Sequence, residues 1–240
     1  MKQIVNFSGG KDSTAMLHLM LEKGEQIDDV IFFDGGWEWP QMYEHIELVE
    51  KKTGIKISRA KPSKPFDYWF SEHRFQNKKF GELQGYGWPV AMGRWCTRLK
   101  IDAIRHYLIE NYFMQDVVQC VGFAVGEEKR MERKSAEGHR FPLVENNMDE
   151  LDCLKYCYDM GYTFGGLYEK FHRVSCWCCP LSNTKEWFMM KRHEPEMWER
   201  LKQMDARLKD VRQKNGMVEP RPFRQDCELL EIDTKIRGKN

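Results

Sequence analysis

The chain has 240 residues, of which 41% are hydrophobic, so it is long enough to bury a sizeable core and to form one α/β domain with an extension. Its 38 basic and 37 acidic residues leave a net charge of +1, and this balance does not indicate nucleic-acid or membrane binding, although a basic face can lie within a neutral total. No apolar run is long enough to span a bilayer and no signal peptide precedes the first predicted strand, so we expect a cytoplasmic protein without a membrane partner.

Predicted strands and helices alternate along the first half of the chain. The order is strand 3–7, helix 13–22, strand 29–33, helix 40–52, strand 55–59, helix 99–112 and strand 116–123. Residues 61–93 contain three prolines, four glycines and many aromatic side chains, which predicts a long, partly irregular insertion. The alternation predicts a Rossmann-like α/β fold with a doubly wound parallel sheet, in which ligands bind beyond the carboxyl ends of the strands.

The second half of the chain has a different character. Helices are predicted at 149–159, 187–193 and 196–213, and the last two are rich in charge and methionine. We therefore predict a nucleotide-binding α/β domain over residues 1–144 and a helical, cysteine-bearing extension over residues 145–240, packed on the same domain.

The first predicted strand leads into Ser8–Ser13, which reads Ser-Gly-Gly-Lys-Asp-Ser and opens the first helix. Gly9 and Gly10 allow a sharp turn and a close approach of backbone to ligand. The free N–H groups of the helix start favour an anion, Lys11 adds a positive charge, and the two terminal serines add hydroxyl donors. Asp12 either binds magnesium or shapes the loop. A plain strand–turn–helix corner is the alternative, but the residue types and their context favour a site for phosphate, pyrophosphate or sulfate.

This motif resembles the phosphate loop of PP-loop ATP pyrophosphatases, and the chain is similar to the phosphoadenosine phosphosulfate (PAPS) reductase branch of that superfamily over about residues 1–182. The segment Phe32–Gly36, followed by Glu38, Pro40 and Tyr43, looks like the family's Asp-Thr-Gly … Pro-Glu-Thr-Tyr segment. Two further segments look like its Gly-Ile-Arg-x-x-Glu-Ser-x-x-Arg and Tyr-Pro-Leu segments, namely Gly122–Arg130 and Phe141–Leu143.

The resemblance implies an adenine nucleotide α-hydrolase-like fold that binds ATP, or PAPS as substrate, together with Mg²⁺. The residues it assigns to the nucleotide are Ser8, Gly9, Gly10, Lys11, Asp12, Ser13, Asp34, Gly36, Gly122, Glu127 and Arg130. A solvated loop acid remains the alternative for Asp34. Ala124 stands where the family has an arginine, so one contact to sulfate or phosphate is not expected here.

Eight cysteines in a reducing compartment are more naturally ligands or redox groups than disulfides. Cys176 and Cys179 have the CxxC spacing that brings two thiolates to one metal, and nearby cations are expected to stabilise a thiolate at Cys96. The segments Trp95–Lys100 and Ser175–Pro180 resemble cysteine motifs of iron–sulfur members, among them adenylyl sulfate (APS) reductase and the enzymes that place sulfur in the DNA backbone.

Three interpretations of these cysteines remain open. The resemblance implies a [4Fe-4S] cluster held by Cys96, Cys157, Cys176 and Cys179; spacing alone equally allows a structural zinc ion with the same ligands, or no metal and a redox CxxC pair. Cys178 or Cys153 is an alternative to Cys157. A cluster with three protein ligands would leave one iron open, and that iron could carry a sulfur atom.

Cys227 is compared with the tail cysteine of PAPS reductases. The family sequence is Glu-Cys-Gly-Leu-His, whereas Asp226–Leu230 lacks the glycine and the histidine. An incidental tail cysteine is the favoured interpretation, which counts against simple PAPS reduction.

The leading hypothesis is an enzyme that splits ATP between the α and β phosphates and couples this step to sulfur transfer, with Lys11, Asp12 and Cys96 as the catalytic residues. A cysteine desulfurase or a thioredoxin-like reductant is the expected protein partner, and the acceptor is a nucleic acid or a small molecule. The second hypothesis is thiol-dependent or iron–sulfur-dependent reduction of PAPS or adenylyl sulfate. The third is a nucleotide-binding subunit of a larger complex, without chemistry of its own.

Overall fold

The computed structural model describes residues 1–78, 81–90, 94–133 and 137–214, with side chains described as far as Val211. The strands are β1 Lys2–Phe7, β2 Asp29–Phe33, β3 Ser58–Ala60, β4 Arg74–Asn77, β5 Gly81–Gln84, β6 Val117–Val121 and β7 His139–Arg140. The helices are α1 Lys11–Glu22, α2 Pro40–Thr53, α3 Phe66–Ser71, α4 Trp95–Asn111, α5 Glu128–Met131, α6 Pro142–Glu145, α7 Glu150–Asp159, α8 Leu167–Lys170, α9 Thr184–His193 and α10 Pro195–Lys214. Short 3₁₀ turns occupy Met114–Asp116 and Phe164–Gly166.

A central sheet of parallel strands carries the fold. Its order is β3-β2-β1-β6-β7, and every neighbouring pair is parallel. β2 and β3 lie on one side of β1, and β6 and β7 lie on the other side, so the strand order reverses between β1 and β6. Ligands bind at such a reversal, beyond the carboxyl ends of the strands. The predicted doubly wound parallel α/β fold is confirmed.

The chain folds into two compact units that are interleaved along the sequence. The first consists of Met1–Asp34, Glu38–Lys61 and Ile101–Tyr168, and it contains the parallel sheet. The second consists of Gly35–Trp37, Pro62–Lys100 and the chain from Glu169 onward. Residues 145–168 cluster with the sheet in this division, and the predicted domains over residues 1–144 and 145–240 stay a prediction.

Hydrophobic burial explains the first unit. β2 is a nearly continuous apolar run with Val30, Ile31 and Phe32 at most 1% exposed, as expected for a strand that is covered on both faces. α1 packs on α7, and Met16 of α1 is buried in one core with Cys157 of α7. This packing holds the start of α1 against the chain that follows residue 149.

The second unit has an aromatic core. Trp37 lies at 5.2–6.2 Å, between ring centroids, from four other aromatic rings: Phe66, Phe70, Trp88 and Trp95. The region predicted as a partly irregular insertion contains α3 and the antiparallel hairpin of β4 and β5. These elements are too short to show a hydrophobic period in the sequence, and aromatic packing holds them in place.

A buried histidine beside α1 gives the first unit a specific pH dependence. The Nε2 atom of His45 lies 2.9 Å from the Thr14 hydroxyl, and its ring packs on Phe164 at 4.2 Å between centroids. Burial, followed by the positive charge expected at His18 and Lys52, lowers the pKa of His45 to about 3. His45 is therefore neutral in the folded protein at physiological pH.

We expect acidification to destabilise the protein through His45. The unfolded chain takes up this proton below about pH 6.5 and the folded chain does not, so the free energy of unfolding falls by about 2 kcal/mol between pH 7 and pH 5. In a chain of this size that change corresponds to about 4–8 °C in Tm. The measurement is Tm at both pH values for wild type and for His45→Gln, which keeps a polar partner for Thr14.

The difference in Tm between pH 7 and pH 5 should be smaller by about 4–8 °C in His45→Gln than in wild type. The exposed His106 on α4 supplies the control, as His106→Gln. An unchanged pH dependence in His45→Gln would show that His45 does not contribute it.

Candidate phosphate-binding site

The loop between β1 and α1 has a backbone shape that only glycine allows at its first turn. Gly9 has a φ of 79°, in the left-handed region, and a Cβ there would lie 2.9 Å from Met42 Cε. The Ser13 hydroxyl fastens the turn by donating to the Gly10 carbonyl at 3.1 Å and accepting from the Ser8 N–H at 3.1 Å. Ser13, predicted as a ligand donor, thus has its hydroxyl committed to the shape of the loop.

Gly10 is required for space and not for its dihedral angles. Its φ of −75° and ψ of 170° are open to any residue. A Cβ at Gly10, however, would lie 3.1 Å from the Tyr168 hydroxyl oxygen. That oxygen accepts a hydrogen bond of 2.9 Å from the Lys11 backbone N–H, the first N–H of α1. The sequence analysis did not single out Tyr168, because 157 residues separate it from Lys11.

The Lys11 side chain is buried between two carboxylates. Its Nζ atom donates to Asp12 Oδ1 at 2.7 Å and to Glu150 Oε2 at 2.9 Å, and the residue is only 6% exposed. Burial by itself would lower the pKa of Lys11, but the two ion pairs outweigh burial and raise it. The ammonium therefore stays charged at the start of α1, where an anion would bind.

The Asp12 carboxyl is held in an unfavourable electrostatic position. Burial raises its pKa, and two neighbouring carboxylates, Glu150 and Glu127, add to the rise. Lys11 opposes this effect without cancelling it. Carboxylates crowded in this way favour a cation among them, and Mg²⁺ prefers such oxygen ligands.

Glu150 is a further residue that the sequence analysis did not single out. It is the first residue of α7, which begins with a capping box formed by Asp149 and Asp152. The capping pattern could have marked the helix start in the sequence. Nothing in the sequence indicates that the following carboxylate reaches Lys11, which lies 139 residues away.

The end of β6 lies against the same loop. A Cβ at Gly122 would lie 3.2 Å from the Ser13 backbone nitrogen, so this glycine allows β6 and the start of α1 to approach closely. Glu127 accepts a hydrogen bond from the Ala124 N–H at 3.2 Å and forms an ion pair with Arg130. The Arg130 guanidinium lies 4.2 Å from the centroid of the Phe123 ring, and 42% of its side chain is exposed.

The end of β2 contributes Asp34. Because Phe7 pairs with Phe32 in register, Asp34 follows β2 at the same edge of the sheet where the phosphate loop follows β1. Its carboxylate accepts a hydrogen bond of 2.8 Å from the Tyr43 hydroxyl and lies 3.7 Å from Lys61 Nζ. Gly36, the other predicted nucleotide contact in this segment, has a φ of 80°, which glycine adopts readily.

Four cysteines of the predicted motifs lie in the second unit. Cys96, in the first turn of α4, is buried enough to raise the pKa of its thiol, and the negative charge of Cys179 raises it further. Nearby cations were expected to lower this pKa, but the Arg98 guanidinium instead faces the Tyr86 ring at 5.8 Å. The Cys179 N–H donates to the Cys176 carbonyl at 3.0 Å, which closes the CxxC turn, and Cys178 is fully buried.

Two other cysteines lie on α7 in the first unit. The Cys157 thiol donates to the Lys11 carbonyl at 3.3 Å, and Cys153 is fully buried. Burial raises the pKa of Cys157 to about 12, and it also raises that of Cys153, so both are thiols in this structure. The assignment of Cys157 as a metal ligand stays a prediction, and it would require the loss of the bond to Lys11.

Within the described ranges, no three His, Cys, Asp or Glu side chains are placed closely enough to hold a metal ion. The thiols of Cys96 and Cys179 are near one another, and the CxxC turn supplies a third sulfur of the same type, so the donor set fits iron or zinc by its chemistry. Cys227 lies outside the described residues. None of the helices in the described part of the chain is long and apolar enough to cross a membrane.

Several known proteins are similar to this chain. The family model for the phosphoadenosine phosphosulfate reductase domain matches residues 2–182. An uncharacterized protein of Methanocaldococcus jannaschii is 28% identical over 226 residues, which covers 90% of this chain and 43% of that protein. A second from the same organism is 26% identical over 203 residues, with 80% and 45% covered.

Two further matches come from a phage and a yeast. An uncharacterized nin region protein of Escherichia phage lambda is 27% identical over 172 residues, with 65% of this chain and 59% of that protein covered. The solved PAPS reductase of Candida auris, in a phosphate complex, superposes with a TM-score of 0.48 at 14% identity, with 74% of this chain and 82% of that chain covered. The chain spans less than half the length of the two archaeal relatives.

Proposed function

The chain belongs to the phosphoadenosine phosphosulfate reductase domain family, whose model matches residues 2–182, and we propose that it is an ATP-dependent enzyme that cleaves its nucleotide between the α and β phosphates. The observation that carries this proposal is the buried, charged Lys11 at the start of α1, within a glycine loop at the point where the strand order reverses. This arrangement provides backbone N–H groups and a cation for a pyrophosphate group.

We propose from the charges of the loop that the nucleotide binds together with magnesium. Asp12 and Glu150 form ion pairs with Lys11, and both carboxylates would repel the phosphates of ATP. Mg²⁺ bound with the nucleotide would reduce this repulsion, and Lys11 would then be available to the phosphates. We assign the cation to Asp12, with Glu150 and Glu127 as the nearest further carboxylates.

The loop can accelerate cleavage by stabilising the leaving group. When the bond between the α phosphorus and the bridging oxygen breaks, negative charge grows on the pyrophosphate. The Ser13 bonds hold the backbone at the start of α1 in place before the reaction, so its N–H groups would stabilise this charge without reorganising. The Lys11 ammonium would add its positive charge after leaving Asp12 and Glu150. We propose that the nucleotide also contacts Asp34, Gly36 and Arg130.

We propose that the cysteines of the second unit handle sulfur for the activated acceptor. Cys96, Cys176 and Cys179 are the proposed ligands of a [4Fe-4S] cluster, with zinc as the alternative, and such a cluster would supply an iron site for sulfur when bound. The CxxC turn closed by the Cys179 N–H and the electrostatic effect of Cys179 on Cys96 support this assignment. Because Cys157 is bonded to Lys11, a cluster with three protein ligands is our preferred form, ahead of a fourth ligand from Cys157, Cys178 or Cys153.

Reduction of PAPS or adenylyl sulfate is the second candidate, and the family model favours it. The same loop would then hold a phosphate or sulfate group, and a thiol would attack sulfur. For the first candidate, we propose a nucleic acid or a small molecule as the sulfur acceptor. Its proposed protein partner is a cysteine desulfurase or a thioredoxin-like reductant.

One experiment separates the two functions. Protein purified without oxygen is incubated with Mg²⁺, a dithiol as the two-electron reductant, and either ATP or a sulfated nucleotide (PAPS or adenylyl sulfate). Pyrophosphate and sulfite are measured in each reaction. Pyrophosphate from ATP without sulfite from the sulfated nucleotides supports the proposal. Sulfite release with intact ATP would establish the reductase instead.

A further inference from the structure

Tyr168 is placed at the mouth of the phosphate loop by packing that does not depend on the loop. Its ring lies edge-on to Phe164 at 4.9 Å between centroids, and the preceding Leu167 is fully buried. Gly165, just before α8, has a φ of 60° and would bring a Cβ within 2.6 Å of Gln41, so the turn is seated tightly on α2. The hydroxyl is therefore held in position before any ligand binds.

The Tyr168 hydroxyl has a proton to offer to a ligand. Its oxygen accepts the Lys11 N–H at 2.9 Å, and within the described part of the chain no acceptor for its own proton is found. Burial raises the pKa of Tyr168, so the phenol stays protonated at physiological pH. A hydroxyl that accepts from the first N–H of a helix and donates onward extends the anion-binding capacity of that helix start by one group.

Gly10 supports a functional role for this contact. Its dihedral angles do not require glycine, but a Cβ would lie 3.1 Å from the Tyr168 hydroxyl oxygen. The second glycine of the loop motif therefore makes room for the tyrosine hydroxyl against the backbone.

We propose that Tyr168 is a pyrophosphate-binding residue that donates its hydroxyl proton to a phosphate oxygen held in the Ser8–Ser13 loop. This inference rests on the anion-binding part of the proposed function, and it adds a side chain from α8 to a site built from strand ends.

The test is the affinity for inorganic pyrophosphate with Mg²⁺, measured by calorimetry on the full chain. Tyr168→Phe keeps the ring and should raise Kd about 10- to 100-fold, as expected for a lost hydrogen bond to a charged group. Tyr107→Phe is the matched control, because the Tyr107 hydroxyl donates to Asp29 at 2.8 Å, at the amino end of β2. It should leave Kd unchanged whatever it does to Tm.

A double-variant cycle excludes a purely structural effect. Gly10→Ala should weaken pyrophosphate binding in the wild-type background by displacing the Tyr168 hydroxyl, and it should cost little more in the Tyr168→Phe background, where that oxygen is absent. Additive effects, or an unchanged or tighter Kd in Tyr168→Phe, overturn the inference. If wild type binds pyrophosphate but does not cleave ATP, the proposed function fails and this inference stands; if wild type binds no pyrophosphate, both fail.

Discussion

Replacing Lys11 by methionine should lower the rate of pyrophosphate release from ATP by about 10²- to 10³-fold, the loss that follows removal of one preorganised donor to a developing negative charge. Methionine keeps the length and most of the volume of the side chain but removes its charge. The Lys11 ammonium is the group that changes its partners in our account, from Asp12 and Glu150 to the leaving pyrophosphate. The measurement is kcat and KM for ATP with a coupled pyrophosphate assay.

The effect should appear mainly in kcat, because the charge on the leaving group grows only in the transition state. Lys51→Met, at an exposed position in the last turn of α2, is the control for loss of a lysine and should turn over at the wild-type rate. Equal rates for wild type and Lys11→Met would remove Lys11 from the mechanism.

Serine substitution at Cys176 or Cys179 should remove the metal from the protein. A sulfur ligand lost from the CxxC turn leaves too few donors, and we expect at least a tenfold loss of bound iron and acid-labile sulfide, roughly the effect that even outer-shell changes produce. Cys96→Ser should behave in the same way, since Cys96 lies close to Cys179. Iron, sulfide and zinc contents are measured on protein purified without oxygen, together with the visible spectrum.

Two cysteines of the first unit complete this experiment. Cys120→Ala is the control, because Cys120 lies buried in β6 of the first unit and belongs to no predicted ligand set. Cys157→Ser should retain iron if the cluster has three protein ligands, and should lose it if Cys157 is the fourth. Zinc without iron in the wild type would mean that the cysteines have a structural role. The absence of both metals would indicate a thiol-redox enzyme and would contradict the cofactor proposal.

The strands, the first helix and the phosphate loop could be predicted because their signals are local. The apolar run before Ser8 and the glycines after it are adjacent in the sequence, and the structure places β1 at Lys2–Phe7 and α1 from Lys11 onward. The parallel sheet followed from the alternation of such runs with helices.

The supports of the loop could not be predicted, because they come from distant parts of the chain. Glu150 and Tyr168 reach Lys11 across 139 and 157 residues, and neither lies in a recognisable motif. The hydrogen bond from the Cys157 thiol to the Lys11 carbonyl is equally non-local, so it could not be predicted either.

The aromatic core of the second unit could not be predicted either, because its residues are far apart in the sequence. Trp37 organises α3 and the chain around Trp88, and its carbonyl accepts the Trp177 N–H at 3.2 Å. A core assembled from single residues spread over 140 positions leaves no period in any one window, so residues 61–93 looked irregular in the sequence.

The position at which the enzyme cuts ATP shows whether the Ser8–Ser13 loop holds a leaving pyrophosphate. Protein purified without oxygen is mixed in excess with ATP and Mg²⁺, and the nucleotide and phosphate products are separated by chromatography. We predict pyrophosphate together with AMP or an adenylated acceptor, formed about 10²- to 10³-fold more slowly by Lys11→Met. ADP together with orthophosphate would place the cut between the β and γ phosphates and would contradict the account.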